Sequence, residues 1–290
     1  MNATTPKPIS IDELLRSSWQ LFRTHPSILV TAYLPYVFVL PLMAWFFISV
    51  FGAVFSSGVP NHQLEPQFAR VFLPGYFAGA AVLSVLVAID YLWMFALADG
   101  LWTGAPSSLG AALHRGVSRI GPAVVAIVIF LLLEIAAIIL AIPTLFLSFL
   151  ALLLFCMYVL PALVAGRGAV DAFRDSFSYV KRWFGASALT IVVLVAIQYG
   201  ISLVMMPVYA FVMPSGLLFM PTDPAAPPQL PPFSVLLTLG IAYLILMLVM
   251  IAYNGFLAIA LTGMYRSLRG LAEQPAGALP TEVPPAGAEA

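Results

Sequence analysis

Cysteine, histidine and charge are all scarce in this chain, and each scarcity closes off a class of chemistry. The single cysteine, Cys156, lies inside an apolar run. It excludes an intrachain disulfide and any metal cluster built from thiolates. The three histidines, His25, His62 and His114, are scattered, with no spacing that would assemble a catalytic triad or a metal site. Only 8% of the residues are charged, where a soluble domain has about 25%. A surface facing water cannot be made from so few charges. Lys+Arg and Asp+Glu number 12 each, so the net charge is zero. The basic residues are too sparse for a nucleic-acid surface. No glycine-rich phosphate loop follows a strand, because no stretch reads as a strand. The opening MNATTPKPIS lacks the apolar core of a cleaved signal peptide, so the first apolar run is expected to stay in the mature protein.

What the chain has instead is apolar length: 62% of its 290 residues are hydrophobic. Lipid is the solvent that suits this composition. The pattern predicts an all-α, six-span helical membrane bundle of three hairpins, each preceded by a cytoplasmic interfacial amphipathic helix. The expected spans cover residues 28–51, 72–97, 122–142, 144–164, 184–206 and 235–260, each near the roughly 20 residues that a bilayer demands. Pro35 and Pro41 should kink the first span, Pro143 divides the third from the fourth, and Pro207 stops the fifth. Residues 208–233, rich in proline and apolar side chains, are expected to form a loop that dips onto the membrane surface. Residues 1–8 and the Pro/Ala-rich cytoplasmic tail, 271–290, are expected to be disordered.

The interfacial helices are expected at residues 10–24, 108–120 and 168–182. Ser10 and Glu13 have capping-box spacing at the start of the first. Helical spacing puts Ile11, Leu14, Leu15, Trp19 and Phe22 on one face of it. The second carries a stripe of Leu109, Leu113, Val117 and Ile120; the third carries Val170, Phe173, Phe177 and Val180. Leu15-Arg16-Ser17-Ser18-Trp19, Leu113-His114-Arg115-Gly116-Val117 and Phe173-Arg174-Asp175-Ser176-Phe177 share an apolar–basic–polar–small–apolar order. Such a repeat suits membrane folds, although any loop between spans tends to be basic and amphipathic. Lys7, Arg16, Arg23, Arg115, Arg119, Arg167, Arg174, Lys181, Arg182, Arg266 and Arg269 fall on one side of the six-span arrangement, and Arg70 alone falls on the other. That side is expected to be cytoplasmic and to hold both termini. The preference for arginine over lysine and the tail composition suggest a bacterial plasma membrane.

The segment Pro161-Ala-Leu-Val, Gly168-Ala-Val-Asp-Ala-Phe-Arg-Asp-Ser176-Phe and Val180-Lys resembles a signature of the YciC-like superfamily of bacterial membrane proteins. That group includes the membrane domain attached to some glycerophosphoryl diester phosphodiesterases. Ile11-Asp-Glu-Leu-Leu-Arg-Ser-Ser-Trp19 and Met264-Tyr265-Arg266-Ser-Leu268-Arg are similar to its two ends. Family members often place an acidic residue just before the glycine pair, where this chain has Ala165-Gly166-Arg167. The resemblance implies a six-span helical membrane protein, often without an assigned activity. It does not carry phosphodiesterase chemistry, which belongs to a separate barrel of about 250 residues.

An ionisable group at membrane depth is a functional-site candidate because it is expensive there. Asp90 and Glu134 qualify, roughly 12 Å and 20 Å from the cytoplasmic ends of their spans at 1.5 Å per residue. Asn254 lies at a depth comparable with Asp90, and Gln198 with Glu134. Each carboxyl either is protonated and bonded across helices or serves a proton- or substrate-linked site. Asp99, near the interface, is expected to be solvated. Arg16, Arg115, Arg174, Lys181 and Arg182 are candidate contacts for anionic lipid headgroups, or else only set topology. A non-enzymatic accessory or lipid-interacting membrane component fits these residues best, with membrane lipids as partners, no nucleic acid, no cofactor and no metal. A protein partner or homo-oligomer stays open. A small-molecule or lipid transporter using the intramembrane carboxyls is the alternative. A membrane-embedded enzyme fits least, for want of paired catalytic groups at one interface.

Overall fold

A computed structural model describes residues 7–34, 36–37, 41, 84–104, 108–144, 147–217 and 233–273; these hold helices and turns and no strand. The helices are α1 (Ile11–Thr24), α2 (27–34), α3 (Ser84–Thr103), α4 (Leu109–Val117), α5 (Ile120–Ala141), α6 (Leu147–Cys156), α7 (Val159–Val164), α8 (Ala169–Arg182), α9 (Phe184–Leu217) and α10 (Phe233–Glu273). Among the described residues, five helical segments are long and apolar enough to cross a membrane: α3, α5, α6 with α7, α9 and α10. The protein is an integral membrane protein with several apolar helices. Most of the predicted first span, the start of the second and residues 218–232 of the loop before the last lie outside the described residues.

Local chemistry sets most of the boundaries. Ser10 and Ser108 sit in extended conformation before α1 and α4, and their hydroxyls accept from the Glu13 and Ala111 amides, so each satisfies one orphan N–H of a first turn. Gly168 holds the corresponding extended position before α8. The turn at residues 142–144 contains Pro143, and the Thr144 hydroxyl donates to the Leu140 carbonyl. The predicted fourth span is broken at residues 157–158. Pro161 crowds the carbonyl of Met157 one turn earlier and cannot bond to it. Ser176 covers the gap: its hydroxyl donates to the Phe155 carbonyl at 2.6 Å and accepts from the Tyr158 amide at 3.2 Å.

Two predicted ends are corrected. Pro207 does not stop α9, which continues to Leu217. A proline removes one intrahelical hydrogen bond and can kink a helix without ending it. At the other end α10 runs on to Glu273, so residues 271–273 are helix rather than tail. Arg269 pairs with Glu273 one turn on, at 2.8 Å, and supports that last turn.

The three short helices pack alike. At equivalent positions Leu14, Ala112 and Ala172 are buried, and one turn later so are Ser18, Gly116 and Ser176. The large apolar residue that follows is exposed each time: Trp19 by 56%, Val117 by 43% and Phe177 by 52%. The buried positions are mostly small residues together with Leu14 and Val180 of the predicted apolar stripes, while Trp19, Val117, Val170 and Phe177 of those stripes are exposed. Small residues win the packed face because they let backbones approach closely. A Cβ on Gly116 would lie 3.0 Å from the backbone of Leu92 and Trp93 in α3. The Trp93 indole donates to the Leu109 carbonyl, and so ties α4 to the same helix. α8 lies on the α6–α7 break through Ser176, and α1 packs on α10, with Trp19 and Phe22 against Phe256.

The core collects where the C-terminal parts of α3, α7 and α10 meet. Residues 92–98 of α3 are buried without interruption, as are residues 258–265 of α10. Trp102 of α3 donates to the Ile259 carbonyl of α10, its ring filling the notch left by Gly263. Tyr158 and Tyr179 both approach the Tyr265 ring. Tyr253 of α10 donates to the Leu194 carbonyl of α9, and Tyr33 of α2 to the Leu248 carbonyl of α10. Aromatic donors thus reach backbone carbonyls across helices, where no water competes.

Candidate functional site

Among the described residues no hydrogen bond joins the predicted intramembrane residues to one another. Asp90 is buried in α3, with one carboxyl oxygen lacking a hydrogen-bond partner among the described residues. Asn254 is half-buried on α10 and makes no hydrogen bond to it among those residues. Glu134 lies half-buried on the small-residue face of α5, near Ala137 and Ala141, whereas Gln198 on α9 is exposed. The Asp90–Asn254 and Glu134–Gln198 pairings inferred from depth are absent among the described hydrogen bonds. Depth along a helix fixes height but not azimuth, and azimuth decides contact.

The predicted basic residues are better grouped. Arg16 pairs with Asp12 at 3.3 Å and Arg174 with Asp171 at 3.9 Å, all four side chains largely exposed. Lys181 and Arg182 are exposed at the end of α8, the Arg182 guanidinium stacking 4.6 Å over the Trp183 ring. Arg115 differs. It turns inward to Asp99 at 3.4 Å.

Asp99, expected to be solvated, belongs instead to a charge network. It sits at the end of α3, accepting from Arg115 of α4 on one oxygen and, at 3.0 Å, from Arg266 of α10 on the other. Arg266 also donates to the Asp99 carbonyl at 3.1 Å. A second cluster lies alongside. Gly166, at φ +101°, closes α7 with its amide on the Leu163 carbonyl and the Arg167 amide on the Ala162 carbonyl, a Schellman stop that needs glycine's left-handed freedom. The stop aims Arg167 at Asp175 of α8, 2.8 Å away, and at Glu273 of α10, 3.7 Å away. The Asp175 carboxylate raises the Arg167 guanidinium above its ordinary range. Burial, then Asp175, raises the Tyr179 phenol. Between the clusters lies a cavity of about 320 Å³ lined by Asp99, Ala165, Tyr265, Arg266, Arg269 and Glu273. Its charges neutralise one another, so the arrangement fastens α3, α4, α8 and α10 together at one end of the bundle. The signal for it was present: acidic residues stand among the basic ones at the ends of the apolar runs. Pairing them required the fold.

Among the described residues no group of three His, Cys, Asp or Glu side chains is placed to hold a metal ion. Cys156 is half-buried and unpaired. No family model, curated protein or solved structure matches the chain.

Proposed function

We propose that this protein is a six-span membrane component of three repeated units, with both termini cytoplasmic in a bacterial plasma membrane. It acts without catalysis, by organising anionic lipid around a collar of basic helices. The observation that carries the reading is the repeated outward face of α1, α4 and α8. Each leaves a large apolar residue uncovered beside polar or basic ones: Trp19 near Arg16, Val117 near His114, and Phe177 near Arg174 and Lys181. In water such residues would be a liability. At a membrane interface the apolar side chain enters the acyl boundary and the basic ones meet headgroup phosphate. The serine cap shared by α1 and α4, and in all three helices the buried small residue followed by an exposed apolar one, support a repeat. The meeting of the α3, α7 and α10 C-terminal ends supports an even number of crossings between those helices. A six-span helical membrane protein is also what the resemblance to the YciC-like group implies.

The test is the lipid composition of polymer-bounded nanodiscs cut directly from the membrane around the full chain. Phosphatidylglycerol should be enriched over the bulk membrane, by about twofold or more. Replacing Arg16, Arg174, Lys181 and Arg182 with glutamine should return it to the bulk value. No enrichment around the parent chain overturns the lipid reading.

A second reading, transport, rests on the buried and incompletely partnered Asp90 carboxyl. It requires a pH-driven solute flux in proteoliposomes that Asp90→Asn abolishes.

A further inference from the structure

Arg119 is one of the basic residues that the ion-pair clusters leave out. It stands at the junction of α4 and α5, half-buried, and among the described residues no carboxylate lies within ion-pair distance of it. Its Nε is buried without a hydrogen-bond partner, and its one hydrogen bond beyond its own turn is a long contact, 3.5 Å, from Nη1 to the Gly166 carbonyl. A guanidinium half out of water and short of acceptors calls for an anion with several oxygens.

Immediately beyond it lies an apolar groove of about 370 Å³ between α3, α5 and α7. Ala123, Ala126, Ile127 and Phe130 supply its α5 wall; Tyr91 and Leu163 stand among the residues opposite. Arg119 precedes Ala123 by one helical turn, so it occupies the same face of α5 as the groove wall. On the other side Gly166, which it touches, follows Leu163 by one turn. The guanidinium therefore stands at the groove's end, on the side of the bundle that holds the ion-pair clusters. The groove lies along helices apolar enough to cross a membrane, so its surroundings are acyl chains rather than water.

We propose that this groove and Arg119 form a site for one phospholipid, with an acyl chain along α5 and the phosphate on the Arg119 guanidinium. The inference deepens the lipid reading above, and differs from it in kind. The collar attracts many exchangeable lipids by charge, whereas the groove holds one lipid by charge and shape together. Arginine suits the task because its planar fork can meet two phosphate oxygens at once, which a lysine cannot. The long contact to the Gly166 carbonyl, after α7, leaves the guanidinium's other donors available.

The experiment is native mass spectrometry of the full chain in mild detergent, supplied with phosphatidylglycerol at defined ratios and with collisional activation raised stepwise. The parent should keep one lipid after the others have been stripped. Arg119→Gln should lower its occupancy at least tenfold, with Arg119→Lys in between. Ile127→Trp, at an exposed groove position that tolerates bulk, should also remove it. Thermal unfolding of each variant establishes that the fold is kept. The glutamine variants of the collar should leave this last lipid in place. If instead Arg119→Gln and Ile127→Trp keep the lipid and the collar variant loses it, the groove site is wrong and the collar stands. If the parent shows nanodisc enrichment but retains no lipid under activation, the groove site again fails alone. Loss on Arg119→Gln but not on Ile127→Trp overturns the acyl-chain part, since phosphate contact would then suffice.

Discussion

Helices α3 and α5 are both long and apolar, yet they live in different surroundings. Half of the apolar segment of α3 is buried, 50% against 17% for α5. α3 is the less apolar of the two: it carries Asp90 and Asp99 and is rich in Trp and Tyr, whereas Glu134 is the one charged residue in α5. In a soluble protein this ranking would be inverted, the most apolar helix being the most buried. In a bilayer lipid is as apolar as a leucine side chain, so burial has no hydrophobic drive. Packing then follows small residues, notches and aromatic donors, and α3 has these. α5 keeps its Ile, Leu and Val side chains for lipid and turns the alanine line Ala123, Ala126, Ala137 and Ala141 to the protein.

The sharpest way to test that contrast is to spoil a notch. A Cβ on Gly263 would lie 2.3 Å from Cζ2 of Trp102 and 2.5 Å from Cε2, closer than any real contact. Because the indole is also fixed by its bond to the Ile259 carbonyl, it cannot swing away freely. Gly263→Ala is expected to destabilise the protein by about 2–3 kcal/mol, measured by thermal or denaturant unfolding in detergent. Removing the ring should relieve the clash, so Trp102→Ala/Gly263→Ala should lose less than the two single effects added together. Additive losses would mean that the indole is not what Gly263 accommodates.

Gly116→Ala ranks next. The new methyl would meet Leu92 and Trp93 backbone atoms at 3.0 Å, and backbone yields only if α4 lifts from α3 as a whole. The expected loss is about 1–2 kcal/mol, and cysteine labelling at the α3–α4 boundary should quicken with it. Ser176→Ala follows at about 1 kcal/mol, a typical value for a hydrogen bond between membrane helices. It takes away the hydroxyl that joins the Phe155 carbonyl to the Tyr158 amide across the Pro161 break. Ser176→Thr, which keeps a hydroxyl, should lose its stability through crowding at a fully buried position rather than through the unmet amide.

These residues also mark where the sequence was legible. Apolar length, proline positions and caps are local properties, so the start of α1 at Ser10, the turn at Pro143 and the start of α9 near Phe184 could be read from the sequence. The run of α9 through Pro207 could not, because a proline can either end a helix or only kink it, and the residue itself does not say which. The candidate site was half legible. Counting charges placed Asp99, Arg115, Arg167 and Arg266 near one end of the bundle, but which charge faces which depends on rotations about helix axes. The apolar stripes of α1, α4 and α8 divide in the same way: Leu14 and Val180 are buried, whereas Trp19 and Phe177 are largely exposed. Ser18 and Ser176, polar by type, are fully buried.

The smallest expected effect completes the comparison. Ile139 on α5 is 71% exposed, so its side chain touches little of the protein. In lipid, Ile139→Ala exchanges side chain–lipid contacts for lipid–lipid contacts of about equal strength, and it exchanges a β-branched residue for the best helix former. The change in unfolding free energy should stay within about 0.5 kcal/mol. Leu97 of α3 is as apolar but fully buried; its truncation to alanine leaves a cavity and should cost about 2–5 kcal/mol. The pair separates lipid exposure from mere apolarity on one scale. A loss above about 1 kcal/mol at Ile139 would mean that another protein surface, a second copy or a different chain, covers the outer face of α5 in the membrane. Crosslinking from an Ile139→Cys variant would then show which of the two it is.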